Sequence, residues 1–102
     1  MHLSPRDPGR TVGGMRFEVE ASLLINEGGV QCVPVVFARP LDGGGEVRVG
    51  PATFLGAARV AALDADRAAE RGAGLVAFVL EDPMEIRQFN RGDVVQLESR
   101  EG

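Results

Sequence analysis

Few side chains in this sequence are suited to chemistry, and they are scattered. His2 is the only histidine. It lies among Pro5, Pro8 and Gly9, so a His-centred triad or a His-rich metal site has nothing to assemble around. Cys32 is the only cysteine, which excludes an internal disulfide. It stands in an apolar stretch with no base beside it, and reads as a packed small hydrophobe rather than a nucleophile. Carboxylates recur at Asp64 and Asp66, and again at Glu81, Asp82 and Glu85. Such pairs can serve as acid and base or hold a cation, and residues 81–85 are the best place for a small enzyme's site. Their spacing matches no calcium loop, however, and solvated turns account for them. Gly43-Gly44-Gly45 lacks the Lys and hydroxyl that complete a phosphate cradle. Arg91-Gly92-Asp93 spells an adhesion tripeptide, but in front of a strand Gly-Asp is ordinary turn material. The chain has no Lys and no Tyr, so most general acids and bases are missing too. The expectation is a protein that is not an enzyme and takes no cofactor and no metal.

A chain of 102 residues supports one domain, since two cores would each be too small to hold. All eleven basic residues are Arg, and the formal net charge is −4. Lys and Arg supply most non-specific nucleic-acid affinity, so DNA is not an expected partner. No apolar run reaches the length of a membrane span, and no charged-then-apolar leader opens the chain. With a lone thiol, a reducing cytoplasmic location follows.

Residues 1–14 are poor in apolar side chains and rich in Pro and Gly, as in a flexible N-terminal arm. From Phe17 the pattern changes. Phe17, Val19, Ala21, Leu23 and Ile25 alternate with a largely polar set, which predicts a strand with one buried face. Asn26-Glu27-Gly28-Gly29 marks a turn. Residues 30–38 form a β-branched apolar run, as in a strand buried on both faces, with Pro34 calling for an edge or a bulge. Val47 and Val49 suggest a short strand. Residues 56–71 are open to a helix through their alanines, but Val60 and Leu63 start no long apolar stripe, which favours a strand at 58–63. A loop or single helical turn follows over 64–71, where Asp64 can cap and Gly72 can stop a helix. Residues 75–80 read as a buried strand, Met84, Ile86 and Gln88 as a short one, and Val94, Val95 and Leu97 as the last. The expected fold is all-β: a small closed or nearly closed antiparallel barrel of about six or seven strands over residues 15–102, with at most one short helix.

Three local patterns together resemble the third, C-terminal β-barrel domain of translation elongation factor Tu. The alternating strand followed by Glu27-Gly28-Gly29 is similar to that domain's opening. Phe37-Ala38-Arg39-Pro40 is similar to its aromatic-Arg-Pro element. The apolar run at 75–80, Pro83, Gly92-Asp93 and Arg100-Glu101-Gly102 are similar to its later part. The family's Arg after the paired glycines is Val30 here. Its closing Gly-Arg-Thr-Val-Gly strand has a counterpart only near the start, at Gly9-Arg10-Thr11-Val12-Gly13, so residues 9–13 are a candidate closing strand in a permuted barrel. The resemblance implies a binding role in translation without GTPase chemistry. The implied partner is a protein or tRNA, the tRNA version being weakened by the negative charge. It also implies a site at Arg39, Pro40, Glu27, Gly28 and Gly29, brought together because strands joined by a turn pair as a hairpin. A self-assembling structural β-module is the alternative role.

Overall fold

The computed structural model describes residues 11–29, 31–42 and 46–100. Six strands, β1 (Thr11–Glu27), β2 (Gln31–Pro40), β3 (Thr53–Leu55), β4 (Ala58–Leu63), β5 (Val76–Leu80) and β6 (Val94–Arg100), close an antiparallel barrel in the order β1-β2-β5-β4-β3-β6. One α-helix, α1 (Ala65–Arg71), lies between β4 and β5, and a 3₁₀ helix, Pro83–Gln88, between β5 and β6. β1 begins at Thr11, and its residues Thr11 to Gly13 pair with Arg100 to Glu98 of β6. Composition groups Thr11 to Gly14 with the N-terminal arm, whereas the ladder includes them. Residues 1–10, and with them Gly9 and Arg10 of the candidate closing strand, lie outside the described residues, as do Val30, Gly43-Gly44-Gly45 and Glu101-Gly102.

Inside the barrel, Phe17, Val19, Val36, Ala38, Leu55, Val60, Phe78 and Leu97 form one buried cluster. Phe17 and Phe78 meet edge to face at its centre, with ring centroids 5.1 Å apart. The period-two reading of β1 takes Phe17, Val19, Ala21, Leu23 and Ile25 as one face, and the structure corrects this. The register slips between Val19 and Ala21, opposite Ala38 and Phe37. One extra residue in a strand turns every later side chain over. Phe17 and Val19 therefore point into the barrel, while Ala21 and Ile25 join a second cluster outside it. A second slip in β1, between Gly13 and Met15, is built on Gly14 at φ 75, a left-handed conformation that glycine adopts without strain.

Two expected strands are absent. Val47 and Val49 belong to no strand but still pack on the inner cluster, since alternating valines can bury their side chains without a ladder. Residues 83–88 form the 3₁₀ helix because Asp82 caps it, its carboxylate accepting from the Met84 N–H at 3.0 Å, and Pro83 fits a first turn. Ile86 and Phe89 then drop into the inner cluster. One strand, β3, was not expected. It is three residues long and turns into β4 through Gly56, at φ 62. The segment after β4 is more than a single turn. Asp64 accepts from the Arg67 N–H at 3.1 Å and starts a seven-residue helix, which closes where the Gly72 N–H donates to the Ala68 carbonyl.

Candidate binding face outside the barrel

The walls of a small barrel ordinarily meet water on the outside, so an antiparallel strand shows one polar face. β2 does not. Val36 and Ala38 face in, while Val35 and Phe37 are just as buried on the outside. With Ala77 they make an outer apolar layer flanked by Ala21, Ile25, Val33, Leu75 and Val79, drawn from β1, β2, β5 and the residue before β5. The cover over this layer is α1, seven residues long, and it buries a single side chain there, Ala68. Arg71 extends the cover, its guanidinium carbon lying 5.2 Å from the Phe37 ring centroid.

So short a helix leaves the layer open on both flanks. On one side a depression of about 430 Å³ is lined by Leu63, Ala68, Leu75 and Ala77 among others. On the other, one of about 210 Å³ is bounded by Ile25, Phe37, Arg67, Glu70 and Arg71. Leu63 at the first flank is 37% exposed. Leu23, which follows Ala21 and precedes Ile25 on the outer side of β1, is 39% exposed. At the rim, Arg67 Nε lies 2.9 Å from an Asp64 carboxylate oxygen. The face is thus apolar in the middle, charged at its edge, and incompletely covered.

The residues singled out from the sequence are placed differently. Arg39 and Pro40 pair with Glu18 and Phe17 at one end of the β1–β2 hairpin, and Glu27, Gly28 and Gly29 form the other end. Eight residue steps along an extended strand separate Arg39 from Gln31 at the turn, roughly 26 Å at the usual rise. The hairpin pairing is as expected, but it drives the two elements apart. Arg39 turns to Glu20, its guanidinium nitrogen 3.8 Å from a carboxylate oxygen, and remains half exposed. Gly28 and Gly29 have φ of 70 and 78, so both fit the turn through a conformation open to glycine. Cys32 is exposed rather than packed, since β2 has run past its neighbour β5 before it is reached. Pro34 lies in that same overhang, where β1 is the one strand paired with β2, and it is buried.

The carboxylates near the second helix have structural work. Glu81 lies 3.8 Å from Arg59, and Asp82 is the cap of the 3₁₀ helix. Among the described residues no group of three His, Cys, Asp or Glu converges as a metal site, and no helix is long and apolar enough to cross a membrane. Asp42, just past β2, is held by Arg16. The guanidinium donates to one carboxylate oxygen at 2.9 Å and the Arg16 backbone N–H to the other at 3.0 Å. These bonds, the side-chain one foremost, lower the Asp42 pKa below the ordinary aspartate value. A carboxyl whose folded pKa is depressed adds stability above its unfolded pKa and loses it as pH falls through the folded one. A carboxyl-detected NMR titration is expected to give Asp42 a midpoint below the usual value, and Arg16→Ala to raise it part of the way back, since the backbone N–H bond remains. An unshifted midpoint in the parent protein would contradict the clamp.

The outer layer could have been found in the sequence. A continuous apolar run in an antiparallel protein requires cover on both faces, and residues 30–38 carry that signal. No family model, curated protein or solved structure matches the chain.

Proposed function

We propose that this chain is a non-catalytic binding module of the kind that the third domain of elongation factor Tu supplies in translation. Its working surface is the outer face of β1, β2 and β5 beside α1. The observation that carries the reading is the incompletely covered apolar layer, with Leu23 and Leu63 exposed at its flanks. Apolar patches rimmed by charge are where proteins bind one another. The partner is a protein rather than tRNA. Among the described residues Arg16, Arg39, Arg48, Arg59 and Arg67 each have a carboxylate within 4 Å, and the formal charge of −4 disfavours a phosphate backbone. Arg39 holds Glu20 and marks one end of the hairpin, while Glu27, Gly28 and Gly29 mark the other. The structural roles of Glu81 and Asp82 argue against an enzyme at 81–85. An exposed, unpaired thiol at Cys32 suits the reducing cytoplasm.

The test is a pull-down from the source cytosol with the parent chain beside Leu23→Asp and Leu63→Asp. Both side chains keep more than a third of their surface exposed, so each variant is compared only at a melting temperature matching the parent's. A protein retained by the parent and lost with either variant, at unchanged melting temperature, is the expected result. Equal retention by all three contradicts the assignment.

A further inference from the structure

β1 outruns the rest of the barrel. β6 accompanies it from Thr11 to Glu18, and the turn before β6 takes over at Val19, whose N–H and C=O bond to Asp93 and Gly92. The Ser22 hydroxyl then donates to the Phe89 carbonyl at 2.8 Å. Beyond it, residues 23–27 have β2 as their one strand neighbour among the described residues. On the far side, β2 has β5 beside it only over residues 35–38. The end of the hairpin is therefore a two-stranded ribbon with two lateral edges, and the two edges differ.

In an antiparallel ladder each residue sends its N–H and C=O to the same side, and the side alternates along the strand. Val19 uses both groups away from β2, so its partner Ala38 sends both of its own toward β5. By the same alternation Val36, Pro34 and Cys32 face that way too. On the β2 edge of the ribbon, Pro34 has no N–H to give, which spoils it as a template. On the β1 edge, Leu24 and Asn26, opposite Pro34 and Cys32, direct their N–H and C=O groups outward. No proline, bulge or charged side chain lies between Ser22 and Asn26 to blunt that edge. Leu24 is 50% exposed.

We infer that the β1 edge of the ribbon pairs with the same edge of a second copy of this chain, antiparallel, across a two-fold axis at Ile25. The spacing of the free groups selects both the occupant and the register. With Ile25 on the axis, Leu24 of each copy faces Asn26 of the other. Both outward donors and both outward acceptors are then used in each copy, in four backbone hydrogen bonds. No like charges stand opposite, because Glu27 meets Leu23. Centring on Leu24 instead would set Asn26 of the second copy against Ser22, where Phe89 and the turn before β6 crowd the edge. Centring on Asn26 would leave Leu24 facing the glycine turn. A contact this short buries less than a standard interface, so the dimer is weak and forms with rising concentration. It uses the strand's edge, not the outer face, and stands independently of the partner assigned to that face.

Sedimentation and spin labelling at the single native cysteine test it. The mass is expected to rise from 10.8 kDa toward twice that value between about 10 µM and about 1 mM, the range of weak association. Three interstrand spacings and a two-residue offset put the two Cys32 Cα atoms about 16 Å apart, and dipolar coupling between nitroxides reads that distance. Asn26→Pro removes an outward N–H and no β1–β2 bond. It is expected to weaken association at least about tenfold at unchanged melting temperature. A constant mass up to about 1 mM overturns the inference. So does rapid Cys32 disulfide formation, which would put the β2 edges together. A dimer that Leu23→Asp abolishes and Asn26→Pro leaves intact overturns it as well, since the outer face would then be the contact. If Asn26→Pro fails to fold, the Cys32 separation in the parent dimer decides alone.

Discussion

Phe78→Ala is expected to lower the melting temperature by roughly 15–30 °C. Phe78 is completely buried and packs edge to face on an equally buried Phe17 at the barrel's centre. Truncating a buried Phe removes its transfer free energy and leaves a cavity, costing about 3–5 kcal/mol. The ring pair adds to that beyond its buried area. For a domain of this size each kcal/mol moves the midpoint by about 4–8 °C. A barrel wall cannot close over the hole, because each strand is tied to neighbours on both sides. Calorimetry reads the shift, and a loss below about 1 kcal/mol would mean the inner cluster is not the core described.

Phe37→Ala is the second large effect, and it tests the outer layer. Phe37 is nearly as buried as Phe78, yet it lies outside the barrel, between α1 and the sheet, with Arg71 over its ring. If that layer is a true second core, its loss costs about 3 kcal/mol, the lower end for Phe because the flanking depressions let the site partly collapse. Amide exchange across α1 should quicken with it, since Ala68 is the helix's one buried side chain and would lose the surface it rests on. A change below about 1 kcal/mol would make Phe37 an ordinary surface residue and remove the basis for a binding face.

The sequence shows the strands where alternation is long and hides the features that depend on a single residue. β1, β2, β5 and β6 are visible as alternating or apolar runs, while β4, rich in alanine, is only favoured over a helix; together they indicate a closed or nearly closed barrel with one short helix. The slip between Val19 and Ala21 is not visible, because the apolar alternation continues through it; only the neighbouring strand reveals that the second half has turned over. β3 is too short to show a period. The 3₁₀ helix had a readable signal, an Asp-Pro start, which the spacing of Met84 and Ile86 masked. For the candidate site the balance is reversed. Arg39 and the Glu27-Gly28-Gly29 turn drew notice as motifs, yet a ten-residue strand holds them at opposite ends. Leu23, Val33 and Leu63 carry no motif, and Phe37 drew notice only as the aromatic before Arg39-Pro40. Their interest comes from the one strand that is apolar on both faces and from a helix too short to cover it.

The central claim is that the outer face of β1, β2 and β5 receives a protein. The most direct measurement is methyl NMR of the chain titrated with the protein retained in the pull-down. Shifts and broadening are expected at Leu23, Ile25, Val33 and Leu63, with the methyls of Leu55 and Leu97 inside the barrel unmoved. Changes confined to the β3–β6 side, with Leu23 and Leu63 unaffected, would contradict the account.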